Sequence, residues 1–421
     1  MKRPLYNNPV TVKDINNAYQ QIRKVVQTTP LELNDRLSKQ YNCKVYLKRE
    51  DLQTVRSYKI RGAYNLISQL NRAQKKKGVV CASAGNHAQG VALSCKLIKM
   101  KGKIFMPRPT PKQKINRVKT MGEKWVELEL VGDTFDETNS IALEYSQKNN
   151  KNFVHPFNDP KVIAGQGTVG VEIFKQLNKK IDYIVAPIGG GGLASGMGTY
   201  IKNYSPKTKL IGVEPEGAAC MKQAFKYQKP TELPKLDKFV DGAAVKKAGE
   251  LTYKICKKVL DKTLTVPENK ICMDMISLYQ NDGIIAEPAG ALAISALDNI
   301  AKQIKSKTVV CIVSGGNNDI SRYSEILERS LIYQELKHYF MIEFAQRPGA
   351  LRKYLEDALG PNDDIALFEY VKKNNRESGP ALVGVELTKK QDLKPLLKRM
   401  DKIELQYEAL KPESVFFKFL I

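Results

Sequence analysis

Lys59 stands between Tyr58 and Ile60 in KREDLQTVRSYKIRGAY, residues 48–64. In a lysine-rich chain its plain reading is a surface charge. Flanked by apolar residues, it can instead be desolvated, which lowers its pKa and makes the amine nucleophilic towards an aldehyde. Ser83-Ala84-Gly85-Asn86-His87 is a glycine-containing turn at the start of a helix. Its backbone N–H groups, with Ser and Asn side chains beside them, suit a carboxylate; an ordinary helix cap has the same pattern. In Gly189-Gly190-Gly191-Gly192-Leu193, four consecutive glycines are costly in backbone entropy. They let a phosphate approach several N–H groups at the dipole end of the following helix. In Ser314-Gly315-Gly316-Asn317 a hydroxyl ends an apolar strand, where it either caps the next helix or hydrogen-bonds a ligand nitrogen.

One of these signals has a rival reading. Gly189-x-Gly191-x-x-Ala194, with Glu214 twenty residues past Ala194, imitates a dinucleotide fingerprint. That fingerprint normally opens its domain, whereas this one lies mid-chain after two other ligand-like turns, so a dinucleotide is set aside.

The elements that must carry these residues repeat one pattern: a short β-branched run, a Gly-rich turn, then a helix. Val79-Val80-Cys81 leads into ASAGNHAQG, Ile181–Ala186 into GGGGLASG, and Val309–Val313 into SGGNND. Uninterrupted apolar strands alternating with helices predict a mostly parallel, helix-covered sheet in an α/β region over residues 1–328. Ligands in such folds bind at the carboxyl ends of the strands, where the three turns lie.

Near residue 330 the pattern changes. HYFMIEFA (338–345) alternates, with Phe340, Ile342 and Phe344 on one face. The turn Arg347-Pro348-Gly349 precedes an amphipathic helix with Leu351, Tyr354, Leu355 and Leu359. Alternating runs Ile365–Val371 and Ala381–Leu387, a helix over Lys390–Met400 and a strand near Ile403 complete a β-α-β-β-α-β, ferredoxin-like α+β domain over 334–421. Charge changes at the same place. Residues 334–421 carry 15 Lys and Arg against 14 Asp and Glu, so nearly all of the net +24 lies upstream.

That upstream excess is scattered, its densest run being Lys75-Lys76-Lys77, a solvated helix end, and no aromatics interleave with it; a nucleic-acid partner is therefore disfavoured. With 421 residues, two to three domains are expected, and 42% apolar content excludes a disordered chain. No apolar run approaches the roughly 18 residues of a spanning helix, and Met1-Lys2-Arg3-Pro4 lacks an apolar signal core, which predicts a soluble, cytoplasmic protein without a membrane partner. Seven widely spaced cysteines without a C-x-x-C pair, and only His87, His155 and His338, exclude a disulfide framework and predict no metal centre.

In this order and spacing the motifs resemble the fold-type II pyridoxal-phosphate enzymes and, within them, the threonine dehydratases. KRED…SYKIRGA, ASAGNHAQG, GGGGL, EPAGA (287–291) and SGGN match, and the resemblance runs over essentially the whole chain to its ending FFKFLI. It implies two open twisted sheets with helices, a small subdomain at about 55–160 inserted in the larger, and one C-terminal ACT-like regulatory domain. It implies pyridoxal phosphate held by Lys59 as Schiff-base lysine, by Gly189, Gly190, Gly191, Gly192 and Leu193 at the phosphate, by Asn86 at the ring hydroxyl and by Ser314 at the ring nitrogen. Ser83, Gly85, Asn86 and His87 would line the substrate carboxylate. Tyr58 replaces the commoner Phe. Some relatives bind a divalent cation near a Glu-Pro segment through a second carboxylate; here Glu214 is followed by Cys220 at that place, so no metal is expected.

The implied reaction converts L-threonine, with L-serine as a second substrate, to 2-oxobutanoate and ammonia in the first case. It is the first step of isoleucine biosynthesis, with isoleucine or valine as effector and a homotetramer as the assembly. Serine dehydratase, serine racemase and threonine synthase share the scaffold; SYKIRGA and the ACT-like domain favour the biosynthetic dehydratase.

Overall fold

The computed structural model describes residues 10–372 and 376–411 together with positions 414, 417 and 420, so most of the FFKFLI ending lies outside the described residues. In chain order the strands are β1 Leu31–Leu33, β2 Lys44–Arg49, β3 Val79–Ala82, β4 Gly102–Met106, β5 Val126–Leu130, β6 Asn152–Phe153, β7 Tyr183–Pro187, β8 Lys209–Pro215, β9 Lys262–Val266, β10 Thr308–Val313, β11 Lys337–Ala345, β12 Asp364–Tyr370, β13 Ser378–Glu386 and β14 Gln406–Ala409. They form three sheets. A six-stranded sheet has the order β1-β2-β10-β7-β8-β9, parallel except for β1. A four-stranded parallel sheet has the order β5-β4-β3-β6. The chain leaves the larger sheet after β2, builds the smaller one, and returns at β7.

The apolar runs dictate this arrangement. Every residue of β3 is buried, as are all but the first of β7 and β10, and strands buried on both faces belong in a helix-covered parallel sheet. Helices Pro160–Gln176 and Gly192–Tyr204 cover the larger sheet through Ile163, Val169, Leu193, Met197 and Ile201. Helix Asn86–Ile98 covers the smaller one through Val91, Ala92 and Cys95. The four motifs all follow the carboxyl ends of parallel strands: β2 leads to Lys59, β3 to Ser83, β7 to Gly189 and β10 to Ser314.

The chain divides into two compact units, Met1–Asp319 and Ile320–Ile421. The second begins ahead of the 334 expected from sequence, because helix Tyr323–Tyr333 belongs with the strand that follows it: Glu328 accepts from Lys337 at 2.5 Å and from Tyr339 at 2.6 Å. Its antiparallel sheet, β12-β13-β11-β14, has the ferredoxin-like order. Phe340, Ile342 and Phe344 pack into its core with Tyr354, Leu396 and Met400. Two residues depart from expectation. Leu351 and Leu355 are exposed on the short helix Ala350–Asp357; with 3.6 residues per turn, Tyr354 and Ala358 fill the inward row and the leucines fall on the next one. Helix Leu393–Lys402 starts later than predicted because Lys390–Asp392 forms a 3-10 turn first. Among the described residues no helix is long and apolar enough to cross a membrane.

Candidate active site

Lys59 is the first residue of helix Lys59–Ser68, and the end of β10 holds it in place. The Tyr58 amide donates to the Ser314 carbonyl at 3.2 Å, Gly316 donates to Arg56 at 2.9 Å, and Ser57 bridges Gly315. The half-buried Lys59 sends Nζ to the Pro156 carbonyl at 3.2 Å. Desolvation lowers its amine to about 8, against the opposing pull of the Glu287 carboxylate. An amine with that pKa is appreciably neutral near pH 7, which a surface lysine is not. By contrast, Lys75, Lys76 and Lys77 lie in the last turn of helix Arg72–Lys77, which buries no residue.

The glycine loop separates its two kinds of backbone group. Its carbonyls meet protein donors: Thr252 Oγ1 reaches Gly190 O at 2.6 Å, Cys220 Sγ reaches Gly189 O at 3.5 Å and Cys256 Sγ reaches Gly191 O at 3.8 Å. Its amides, Gly189 to Leu193, donate to no acceptor among the described residues, and they stand at the N-terminus of helix Gly192–Tyr204. Gly191 has φ +91°, a conformation that favours glycine. At Gly190 an added Cβ would lie 2.3 Å from the Phe157 ring. The glycines are thus required by packing as well as by ligand approach. A row of unsatisfied N–H groups at a helix start fits a phosphate group, so the residues present match what pyridoxal phosphate needs at that end.

The Ser83–His87 turn sits at the start of helix Asn86–Ile98, whose Gly90 packs against the Lys59 backbone. The amides of Asn86, His87 and Ala88 likewise have no acceptor among the described residues. For His87, the ring and the amide have different roles open to them. Its ring is buried, its Nε2 bonds the Val154 carbonyl at 2.9 Å, and desolvation followed by Lys59 lowers it to about 3. A neutral imidazole with its N–H on Val154 keeps only a lone pair at Nδ1 and cannot donate to a carboxylate. Its amide can. Asn86 donates Nδ2 to Glu287 at 2.6 Å and accepts from Asn317 Nδ2 at 2.7 Å, leaving its second Nδ2 hydrogen for a ligand. Ser314 is buried beneath, its Oγ donating to the Ala289 carbonyl at 3.1 Å. Donating to a ring nitrogen would mean exchanging that bond.

Sequence reading missed two participants. Glu287, quoted above only as a letter of EPAGA, is a buried carboxyl pushed up to about 7 by desolvation and then by Asp241. It holds Asn86 and faces Lys59. The plain segment Val154–Asn158 joins three of the four motifs: Val154 takes His87, Pro156 takes Lys59 and Phe157 backs the glycine loop, while Asn158 Oδ1 accepts from the Leu251 and Thr252 amides at 3.0 and 3.3 Å. Pro directly after His155 was the only local signal there. Glu214 is fully buried and accepts from the amides of Met221 and Lys222 at 2.7 and 2.8 Å.

Comparison with known proteins places this geometry. Residues 22–315 match the family model of pyridoxal-phosphate dependent enzymes, and residues 328–420 match that of the C-terminal regulatory domain of threonine dehydratase. The biosynthetic L-threonine dehydratase of Halalkalibacterium halodurans is 53% identical over 412 residues, spanning 98% of this chain and 99% of that protein. That of Bacillus subtilis is 52% identical over 415 residues, spanning 99% and 98%. Among solved structures, the processed threonine deaminase isoform 2 of Solanum lycopersicum superposes with a TM-score of 0.71 at 39% identity, covering 78% of this chain and 97% of that one. Maize serine racemase gives 0.71 at 30% identity, covering 77% and 99%.

Proposed function

The chain belongs to the pyridoxal-phosphate-dependent enzymes and, within them, to the biosynthetic threonine dehydratases, and we infer that Lys59 is the lysine on which its chemistry turns. It is a lyase that dehydrates and deaminates L-threonine to 2-oxobutanoate and ammonia, the first step of isoleucine biosynthesis. The observation that supports the residue assignment is the meeting, at the carboxyl ends of four strands, of one amine lowered to about 8 and two rows of unengaged amides.

When bound, the cofactor supplies an aldehyde for the lysine and a ring that takes up negative charge from Cα. The chain does the rest. The Gly189–Leu193 amides hold the phosphate, and Asn86, kept in place by Glu287 and Asn317, donates to the ring hydroxyl. Ser83, the Gly85 turn and the amides of Asn86 and His87 take the substrate carboxylate. Lys59 Nζ, with its lowered pKa, would be the base that removes the Cα proton. Ser314 is neutral and supports a protonated ring nitrogen less than a carboxylate would. A neutral hydroxyl there would suit elimination of the β-hydroxyl better than prolonged storage of negative charge.

Borohydride reduction of the holoenzyme followed by peptide mapping is the test. A label on Lys59, and loss of elimination in Lys59→Ala with the fold retained, is expected; a label on another lysine overturns the assignment. L-Serine is a second substrate in this reading; in a two-substrate comparison serine racemase or serine dehydratase activity would show as a reversed preference, and threonine synthase as elimination from neither.

The C-terminal unit has its own core and none of the four motifs, which supports a regulatory role in which isoleucine or valine binds it. Gly349, at φ +87°, opens helix Ala350–Asp357 and presents first-turn amides suited to an amino-acid carboxylate. Threonine saturation curves of the full chain with each amino acid test this. A shift in rate or cooperativity is expected, and no response to either leaves assembly as the unit's role. Light scattering tests the cytoplasmic homotetramer.

A further inference from the structure

Two residues beyond Lys59, Arg61 is fully buried with its whole guanidinium engaged. Nε and Nη2 reach the two oxygens of Glu50 at 2.8 and 2.7 Å. Nη1 and Nη2 reach those of Glu172 at 2.7 and 2.9 Å, and Nη1 also reaches Thr168 Oγ1 at 3.1 Å. All five donors of the side chain are satisfied. Lys48, equally buried, directs its three donors to the Thr29 carbonyl at 2.6 Å, Glu172 Oε2 at 2.6 Å and Gln176 Oε1 at 2.9 Å. Two cations and two carboxylates cancel inside the core.

Stability alone is a poor reason for such a cluster. Withdrawing four charges from water is expensive, and apolar residues of similar volume often do as well or better. What paired forks supply beyond packing is direction. Lys48 lies on β2, Glu50 in the turn after it, and Arg61 in the first turn of the Lys59 helix. Thr168, Glu172 and Gln176 lie on helix Pro160–Gln176. That helix touches both neighbours backbone to backbone: a Cβ on Gly165 would fall 2.5 Å from the Arg61 carbonyl, and one on Gly196, in the helix beneath the glycine loop, 2.2 Å from the Ile163 carbonyl. Lys59 and the glycine loop therefore stand at opposite sides of one three-helix stack, and the ion cluster pins its first joint.

We propose that Arg61 is a positioning residue: by locking the first turn of the Lys59 helix onto helix Pro160–Gln176, it sets the reach from the lysine amine to the phosphate-binding loop. The proposal rests on the reading of Lys59 given above. Arg61→Lys keeps the charge and removes the forks; Thr168→Val removes one partner and nothing ionic. In apo-protein, reductive methylation with formaldehyde and cyanoborohydride across pH, mapped by peptide, gives the half-labelling pH of Lys59 without any cofactor. In Arg61→Lys it should rise from about 8 towards the ordinary lysine value, because a loosened turn admits water while the local charge is unchanged. In the holoenzyme kcat should fall about 30-fold with KM for threonine nearly unchanged, the scale of a sub-ångström misplacement. Thr168→Val should move both readouts the same way, kcat per folded molecule about threefold. Wild-type labelling pH and kcat per folded molecule in Arg61→Lys, whatever its Tm, overturn the proposal. If that variant does not fold, the same two wild-type values in Thr168→Val overturn it. A borohydride label on a different lysine instead sinks the Lys59 reading, independently of either variant.

Discussion

At Gly190 an added methyl carbon would fall 2.3 Å from the ring of Phe157, whereas at Gly85 it would meet nothing beyond its chain neighbours within 4 Å. Both glycines sit in turns that lead a parallel strand into a helix with unengaged amides. The phosphate turn is packed from behind and finished before any ligand arrives. The turn proposed for the carboxylate keeps open room in front, and there glycine would leave space for a substrate. The same residue type thus serves rigidity in one turn and access in the other.

The comparison breaks most severely at Gly190. Gly190→Ala must push Phe157 and, through Pro156, the Lys59 amine. Overpacking of this kind costs about 1–3 kcal/mol, and pyridoxal-phosphate affinity measured by equilibrium dialysis should fall roughly 5- to 150-fold. Adding Phe157→Leu should recover part of the loss; no recovery would mean that the amides themselves, and not the packing behind them, were disturbed. Gly85→Ala should be milder and different in kind. An added methyl at Gly85 displaces no neighbour, so cofactor affinity should stay at wild type while KM for threonine rises about tenfold. A lowered cofactor affinity there would erase the distinction.

The smallest effect is electrostatic. The Glu287 charge favours the ammonium form of Lys59, so Glu287→Gln should lower the amine below about 8 and bring its half-labelling to a lower pH. The sign follows because removing a nearby negative charge always favours the neutral amine. Glu287 itself loses its charge as pH falls through about 7, so the difference between the two proteins should be clear above that pH and fade below it.

The parts legible in the sequence are those whose residue types are rare in their setting. Four glycines in a row, a lysine between apolar neighbours and strands without a polar break announced the turns and the parallel sheets. Contacts between distant segments had no such mark. Lys59 meets Pro156 across 97 positions and Asn86 meets Glu287 across 201, so VHPFN reads as an unremarkable loop and EPAGA as a family string. His87 shows the limit from the other side: its letter does not say whether ring or amide would face a ligand, and burial and the Val154 carbonyl engage the ring and leave the amide. In the C-terminal unit the strand alternation gave the sheet, whereas Leu351 and Leu355 looked internal because an eight-residue helix is too short for its apolar stripe to be fixed by pattern alone.

The smaller sheet is inserted between β2 and β7, so only two stretches of chain join it to the larger one. One runs through Ser57 to Lys59 and the other through Val154 to Asn158, and the Lys59 amine is bonded to Pro156 between them. Two links define a line, and a relative rotation of the sheets turns about it. Atoms on that line stay still while those away from it sweep an arc. Lys59 sits on the axle, and the Gly85 turn rides the door. A rotation about that line would preserve the distance between the lysine amine and the glycine loop, whereas the bonds of Asn86 to Glu287 and Asn317 would have to break before the Gly85 turn could move.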